Sequence, residues 1–431
     1  MEYLIYIYGI MFIALIFIYR GFFNLPVIFF SFYSIYNYIP VIGFFYYDSD
    51  WYSLMGSVGD IELLDQAFIY HFYGALTFFI VSALSRLIWY ERNNNANSIY
   101  VVKDDLLITS SATFLIIIAG VFLTGQIYGL GAYGSLDPAR SDFSIFIHFV
   151  NILFIVTSFY VYSCIIAGKI KYNLILLQFM IIIILYVLIG NRSMIVGLTL
   201  ILIYCVTQNK QNILRDFFLV FLGYIALVTI QIFRSAAHIL QGSGIKDNLA
   251  WFEGSKVVIE RLQQTDYVRD LLFTSQGDKI GIFTAIIEKV NETGLLYGYT
   301  YIESLPKLIP SIFRRPLGIP DYDVYFSFHG YLDDCAWCSF SLNAELYMNF
   351  GIFGIVIGLA LLAVFFGFLH ERSNINRPYT MIFMLNMFPF ITSVTRNSSD
   401  HNIKLIVYTF IIMSLLYIFH IKKIKDDKDV N

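Results

Sequence analysis

Long apolar runs alternate with short polar interruptions along this chain. Runs such as Asn173–Gly190 and Leu346–Leu369 carry almost no charge, and each approaches the roughly 20 residues that a helix needs to cross ~30 Å of hydrocarbon. The pattern predicts about eleven spans, near 3–19, 22–46, 67–90, 106–127, 144–167, 172–189, 194–207, 217–233, 346–369, 379–395 and 403–420. The first run, Tyr3–Tyr19, has no basic stretch before it and no small-residue cleavage site after it. It is therefore expected to be a retained helix rather than a cleaved signal.

One long segment interrupts the spans and reads differently. Within 234–345, Val258, Leu262, Val268, Leu271 and Leu272 recur near helical spacing among charged residues, and Ile282, Ile286, Ile287 and Val290 form a second such set. Pro306, Pro310, Pro316 and Pro320 then break any regular element. This segment is expected to consist of short amphipathic helices lying on a membrane surface. The chain so divides into spans one to eight (1–233), a large loop (234–345), spans nine to eleven (346–420) and a tail (421–431). The fold class expected is an all-α polytopic membrane protein.

Charge orients the arrangement. If the tail is cytoplasmic, that side holds Arg20, Arg86, Arg92, Lys103, Lys169, Lys171, Lys210, Arg215, Arg372, Arg377, Lys422, Lys423, Lys425 and Lys428, while the short outer segments hold Arg140, Arg192, Arg396 and Lys404. Lysine and arginine beside short loops are retained inside. The N-terminus and the large loop are thus expected outside, the C-terminus inside. Composition agrees: 58% hydrophobic and 14% charged residues exclude a soluble protein, and a net charge of −3 gives no reason to expect nucleic acid.

The outer arginines run against the charge bias and so attract attention. Arg192 lies in the turn Gly190-Asn191-Arg192-Ser193, Arg234 ends the eighth span and Arg396 the tenth. Any one of them serves equally as a snorkelling anchor at the headgroups. As a set they favour an anion site, because a guanidinium fork matches phosphate oxygens and holds a diphosphate without a metal. Arg140, a further candidate for substrate binding, ends the glycine-rich stretch Gly129–Arg140, whose glycines allow close backbone approach to a ligand. Its spacing matches no phosphate loop, and a flexible outer turn accounts for the glycines more simply.

Four further features carry candidate chemistry. Glu345 stands at the outer mouth of the ninth span, where a carboxylate either caps helix N–H groups or accepts a proton from a hydroxyl. His329 and His401 lie in outer segments and have the intrinsic pKa of a base at neutral pH. Cys335 and Cys338 form a lone Cys-x-x-Cys, which in an outer location fits a local disulfide better than zinc. No dense carboxylate cluster suggests magnesium with a nucleotide sugar, so no metal and no cofactor is expected.

The stretch Glu303-Ser304-Leu305-Pro306-Lys307-Leu308-Ile309-Pro310-Ser311-Ile312-Phe313-Arg314-Arg315-Pro316, followed by Ala344-Glu345-Leu346-Tyr347-Met348-Asn349-Phe350-Gly351 leading into a helix, resembles the Wzy-type O-antigen polymerases. The resemblance implies a GT-C-type membrane glycosyltransferase in a bacterial inner membrane. It implies undecaprenyl-diphosphate-linked repeat units as substrates and a polysaccharide chain-length regulator as partner. It also implies that Arg234, with Arg314 or Arg315, contacts the donor. The related O-antigen ligases carry a histidine motif late in the large loop that this chain does not show, although His329 lies close. A flippase of lipid-linked units would show repeated halves and polar residues deep in broken helices.

Overall fold

The computed structural model describes residues 2–42, 61–90, 100–102, 154–158, 181–183, 192–207, 278–309, 316–319, 341–373, 377–395 and 399–423, with isolated positions at 114, 118, 215, 216, 218, 219, 260, 263 and 314. Its elements are α1 (Glu2–Tyr19), α2 (Leu25–Asn37), α3 (Leu64–Tyr90), β1 (Tyr100–Val102), α4 (Arg192–Thr207), α5 (Asp278–Thr293), α6 (Tyr299–Ser304), α7 (Leu342–Arg372), α8 (Pro378–Val394), α9 (Ser399–His420) and β2 (Ile421–Lys423). Described helices stand at seven of the expected spans. Three stretches, Leu25–Ile42, Leu64–Tyr90 and Leu342–Arg372, are long and apolar enough to cross a membrane, and four shorter apolar helices accompany them. The spans expected at 106–127, 144–167, 172–189 and 217–233 lie largely outside the described residues, as does the amphipathic pattern at Val258–Leu272.

The chain packs as two compact units. The first comprises Met1–Asn94, Leu272–Glu371 and Phe390–Val407. Its core is aromatic: Phe29 of α2 lies 4.6 Å from Phe78 of α3 and 5.2 Å from Phe366 of α7, ring to ring. Between α3 and α7 a small residue permits the close approach, since a Cβ on Gly74 would lie 2.5 Å from Leu359 Cδ1. Where lipid tails and leucines are equally apolar, such close packing over a small residue and the dispersion it brings hold helices together. Tyr8 and Tyr38 stack at 4.1 Å and join α1 to the end of α2.

The second unit comprises Asn95–Leu271, Arg372–Pro389 and Tyr408–Asn431. There α4 packs on α8, where a Cβ on Gly197 would meet Pro389 at 2.7 Å and Tyr204 lies 5.8 Å from Phe388. Strands β1 and β2 pair antiparallel, Val101 opposite Lys422. This small ribbon departs from the all-helical expectation. Both strands are short and end next to lysines, so hydropathy alone gives no strand signal there.

Two expectations need correction. The second amphipathic helix, α5, does not lie on a surface: Ile280, Ile282, Phe283, Ile286 and Ile287 are buried together with Lys279 and Thr284, and the helix packs against α2 and α3. The reason is in its sequence, because Gly281, Thr284 and Ala285 occupy the would-be polar face, and from Lys279 on the first exposed charge is Glu288. The ninth span is also not one straight rod from 346. Gly351 has φ 63° and ψ −152° within α7, a region essentially confined to glycine. A Cβ on Gly354 would lie 2.3 Å from the Leu346 carbonyl oxygen, whereas these residues would be about 12 Å apart along an unbroken helix. The half-helix Leu342–Phe350 therefore folds back on the longer Ile352–Arg372.

Candidate functional site

The fold-back at Gly351 orphans the last carbonyls of the half-helix, and buried carbonyls need donors. The turn before α6 supplies them. Leu296 N–H donates to Met348 O and Tyr297 N–H to Asn349 O, both at 3.0 Å, while Gly298 N–H donates to Asn349 Oδ1 at 3.0 Å. The Asn349 amide completes its set by donating to Glu345 O and Thr300 Oγ1, each at 2.8 Å. Tyr297 and Gly298 both have positive φ, which brings the three successive N–H groups round to one helix end.

Glu345 lies one turn before Asn349 and so on the same helix face. Its side chain is buried, with relative exposure of 3%. Thr300 Oγ1 donates to Oε1 at 3.0 Å, Ser399 Oγ donates to Oε1 at 2.6 Å, and Ser399 N–H donates to Oε2 at 2.8 Å. The carboxylate thus joins three segments that are far apart in sequence. Of the two sequence readings, capping acquires an unexpected form. Ser341 Oγ caps the half-helix itself by accepting from Ala344 N–H at 3.4 Å, and Glu345 instead sits at the N-terminus of α9, where the helix dipole favours negative charge. Burial, and next the charge of Glu345, raises the pKa of the Tyr301 phenol well above its usual range, so it stays neutral.

The other candidates are placed to different degrees. Arg396 lies outside the described residues; of the described residues on either side of it in sequence, Ser393 Oγ donates to Asn402 Oδ1 at 2.9 Å. His401 is in the first turn of α9, two residues beyond Ser399, without a described side chain. Arg192 is the first residue of α4 in the second unit, and its side chain is likewise not described. Arg314 is buried, its carbonyl accepting from Leu317 and Ile319 N–H at 3.2 Å. Arg140, Arg234, Arg315, His329, Cys335 and Cys338 lie outside the described residues. Sequence reasoning singled out Glu345 but missed Thr300, Asn349 and Ser399. Their only signal was polarity beside an apolar run, which many loop residues share.

Chemically, this is a buried carboxylate braced by two hydroxyls and a backbone amide. Residues 331–428, which include the half-helix, Arg396 and Ser399, match the family model described as O-antigen polysaccharide polymerase Wzy. The resemblance read from the sequence is borne out over that stretch. No curated protein and no solved structure matches the chain.

Proposed function

We propose, from the Wzy family match across the Glu345–Ser399 pairing, that this chain polymerises oligosaccharide repeat units carried on undecaprenyl diphosphate, at the outer face of a bacterial inner membrane. The single observation that carries the reading is that the matched segment contains Glu345 and Ser399, from two of the three segments that meet at the buried carboxylate. In this reading about eleven spans form a GT-C-type architecture, with 234–345 outside and the C-terminus cytoplasmic. The β1–β2 pairing supports that topology, because it requires 100–102 and 421–423 to share one side of the membrane.

The reaction exchanges the anomeric C1–O bond to the diphosphate for a glycosidic C1–O bond to the acceptor and needs neither nucleotide nor metal. As the anomeric C1–O bond breaks, negative charge grows on the leaving diphosphate. Arginines fixed at helix ends stabilise that charge with little reorganisation, a role we assign to Arg192, Arg234 and Arg396, with Arg140, Arg314, Arg315 and His401 as further contacts. Glu345 and His329 serve the acceptor. The proton leaving its hydroxyl reaches Glu345 directly or through the Ser399 or Thr300 hydroxyl. Confining both lipids to one face orients the encounter. Membrane lipid surrounds the spans, and a chain-length regulator is the expected protein partner.

The test is incubation of the purified protein with a lipid-linked repeat unit, with products resolved on a gel. A ladder of increasing length is expected; transfer of a single unit to a lipid A core would mean a ligase, and no product a transporter. Converting Arg192, Arg234 and Arg396 together to Lys keeps the charge but removes the bidentate fork, so the ladder should nearly vanish. A full ladder from the folded triple variant overturns the diphosphate assignment.

A further inference from the structure

A second buried polar cluster lies on the opposite side of the half-helix from Glu345. Asn343 Nδ2 donates to Tyr33 Oη of α2 and to His71 Nδ1 of α3, and Tyr33 Oη donates to the His71 carbonyl oxygen at 3.0 Å. All three side chains are almost fully enclosed, with His71 and Asn343 at 1% exposure. Because His71 Nδ1 accepts, its proton resides on Nε2. His71 Nε2 and Asn343 Oδ1 have no hydrogen-bond partner among the described residues. A purely structural contact here would be met at least as well by apolar side chains of the same volume.

The geometry of the half-helix shows what the cluster controls. At 100° per residue, Asn343 and Glu345 point about 200° apart. Asn343 and Tyr347 share the face toward α3, where Tyr347 stacks on Tyr70 at 5.2 Å and meets Phe283 edge-on at 5.6 Å. Glu345 and Asn349 share the face toward Thr300 and Ser399. Beyond Phe350 the helix is interrupted at Gly351, so helical continuity does not set the rotation of this segment. Ties on its two faces do.

We propose that His71 and Tyr33, by gripping Asn343, are positioning residues for the transfer reaction: they fix the rotation of the half-helix and hence the direction in which Glu345 presents its carboxylate. This rests on the polymerase reading and on Glu345 serving the acceptor. His71 does not touch the reacting atoms; it acts through Asn343 and the helix axis. A shift of ~1 Å at a reacting group costs on the order of 10²-fold in rate, so release of one tie falls on turnover rather than on donor binding.

The experiment is a double-mutant cycle in the full-length purified protein, using His71→Leu and Glu345→Gln, with kcat and KM for a defined lipid-linked repeat unit. His71→Leu should lower kcat by roughly 10- to 100-fold at unchanged KM. In the Glu345→Gln background it should have little further effect, because both changes act on one event. His71→Asn, whose carbonyl oxygen takes the place of Nδ1, should restore most of the activity, and His71→Gln, which mimics Nε2, should not. Full kcat in a folded His71→Leu protein overturns the proposal, as do fully multiplicative losses in the double variant or rescue by Gln in place of Asn. If His71→Leu fails to fold, the Asn and Gln pair decides by the same criterion. A wild-type protein that makes no ladder defeats the polymerase reading instead, and a wild-type ladder that survives Glu345→Gln defeats the role of Glu345.

Discussion

The two parts of α7 share one apolar run yet live in different solvents. In Leu342–Phe350 every residue from Asn343 to Asn349 is buried in protein, including two asparagines and a glutamate. Beyond Gly351 a stripe of large apolar side chains, Phe353, Ile357, Leu361, Val364 and Phe368, is exposed at helical spacing, as a lipid-facing surface requires. The difference shows that a membrane helix can stop being a span without ceasing to look like one. A single glycine redirects the chain, and before it Glu345 and Asn349 find their partners in neighbouring protein in place of water.

The sharpest way to break this contrast is Glu345→Gln. Both hydroxyls on Oε1 can rotate to accept from an amide, while the carbonyl oxygen keeps the Ser399 N–H bond, so the fold should persist at wild-type membrane levels. What is lost is the charge, together with the acceptor of the two hydroxyl protons. If the half-helix exists to hold an acceptor base, polymer formation falls by roughly 10²–10⁴-fold. An unchanged ladder at equal protein levels would reduce Glu345 to a brace and turn attention to Asp333, Asp334, Asp400 and His401.

Much of the architecture is legible in the hydropathy pattern alone. Apolar runs locate the described helices because the bilayer demands length and hydrophobicity from each span separately. Glu345 stands out because a carboxylate at the mouth of a span is costly and needs a reason. The fold-back is hidden, since Gly351 lies in Asn349-Phe350-Gly351-Ile352-Phe353-Gly354 and any of these glycines would be tolerated in a straight membrane helix. The partners of Glu345 are hidden for a different reason. Thr300 and Ser399 lie 45 and 54 residues away, and no local periodicity encodes a contact at that distance. Likewise α5 reads as amphipathic by its isoleucines, and only the run of small residues on its other face, Gly281, Thr284 and Ala285, marks it as buried.

A middle-sized effect should come from the fold-back itself. At Gly354 an added Cβ meets a backbone oxygen, Leu346 O, at 2.3 Å, which can yield only if the half-helix moves. At Gly358 the obstacle is the end of a flexible side chain, Leu346 Cδ2 at 2.6 Å. Gly354→Ala should therefore destabilise by about 1–3 kcal/mol, the usual range for overpacking, and reduce activity, with Gly358→Ala the milder of the two. Thermal unfolding in detergent gives the ranking. Equal effects would mean that the half-helix is not seated on the long helix at this point.

The smallest effect belongs to the exposed stripe. Ile357 is 57% exposed and Leu361 66%, so truncating either to Ala exchanges side-chain contact with lipid for lipid alone and leaves no cavity. Changes at such positions generally stay within about 0.5 kcal/mol. Leu359, between them in sequence, is fully buried against α3 at Gly74, and Leu359→Ala should cost roughly 2–5 kcal/mol. Unfolding of the three single variants in the same detergent measures the contrast, and because they sit within five residues of one helix, differences in insertion or expression do not confound it. A loss at Ile357 as large as that at Leu359 would mean that protein covers this stripe, and the division of α7 into a protein-solvated and a lipid-solvated half would fail there.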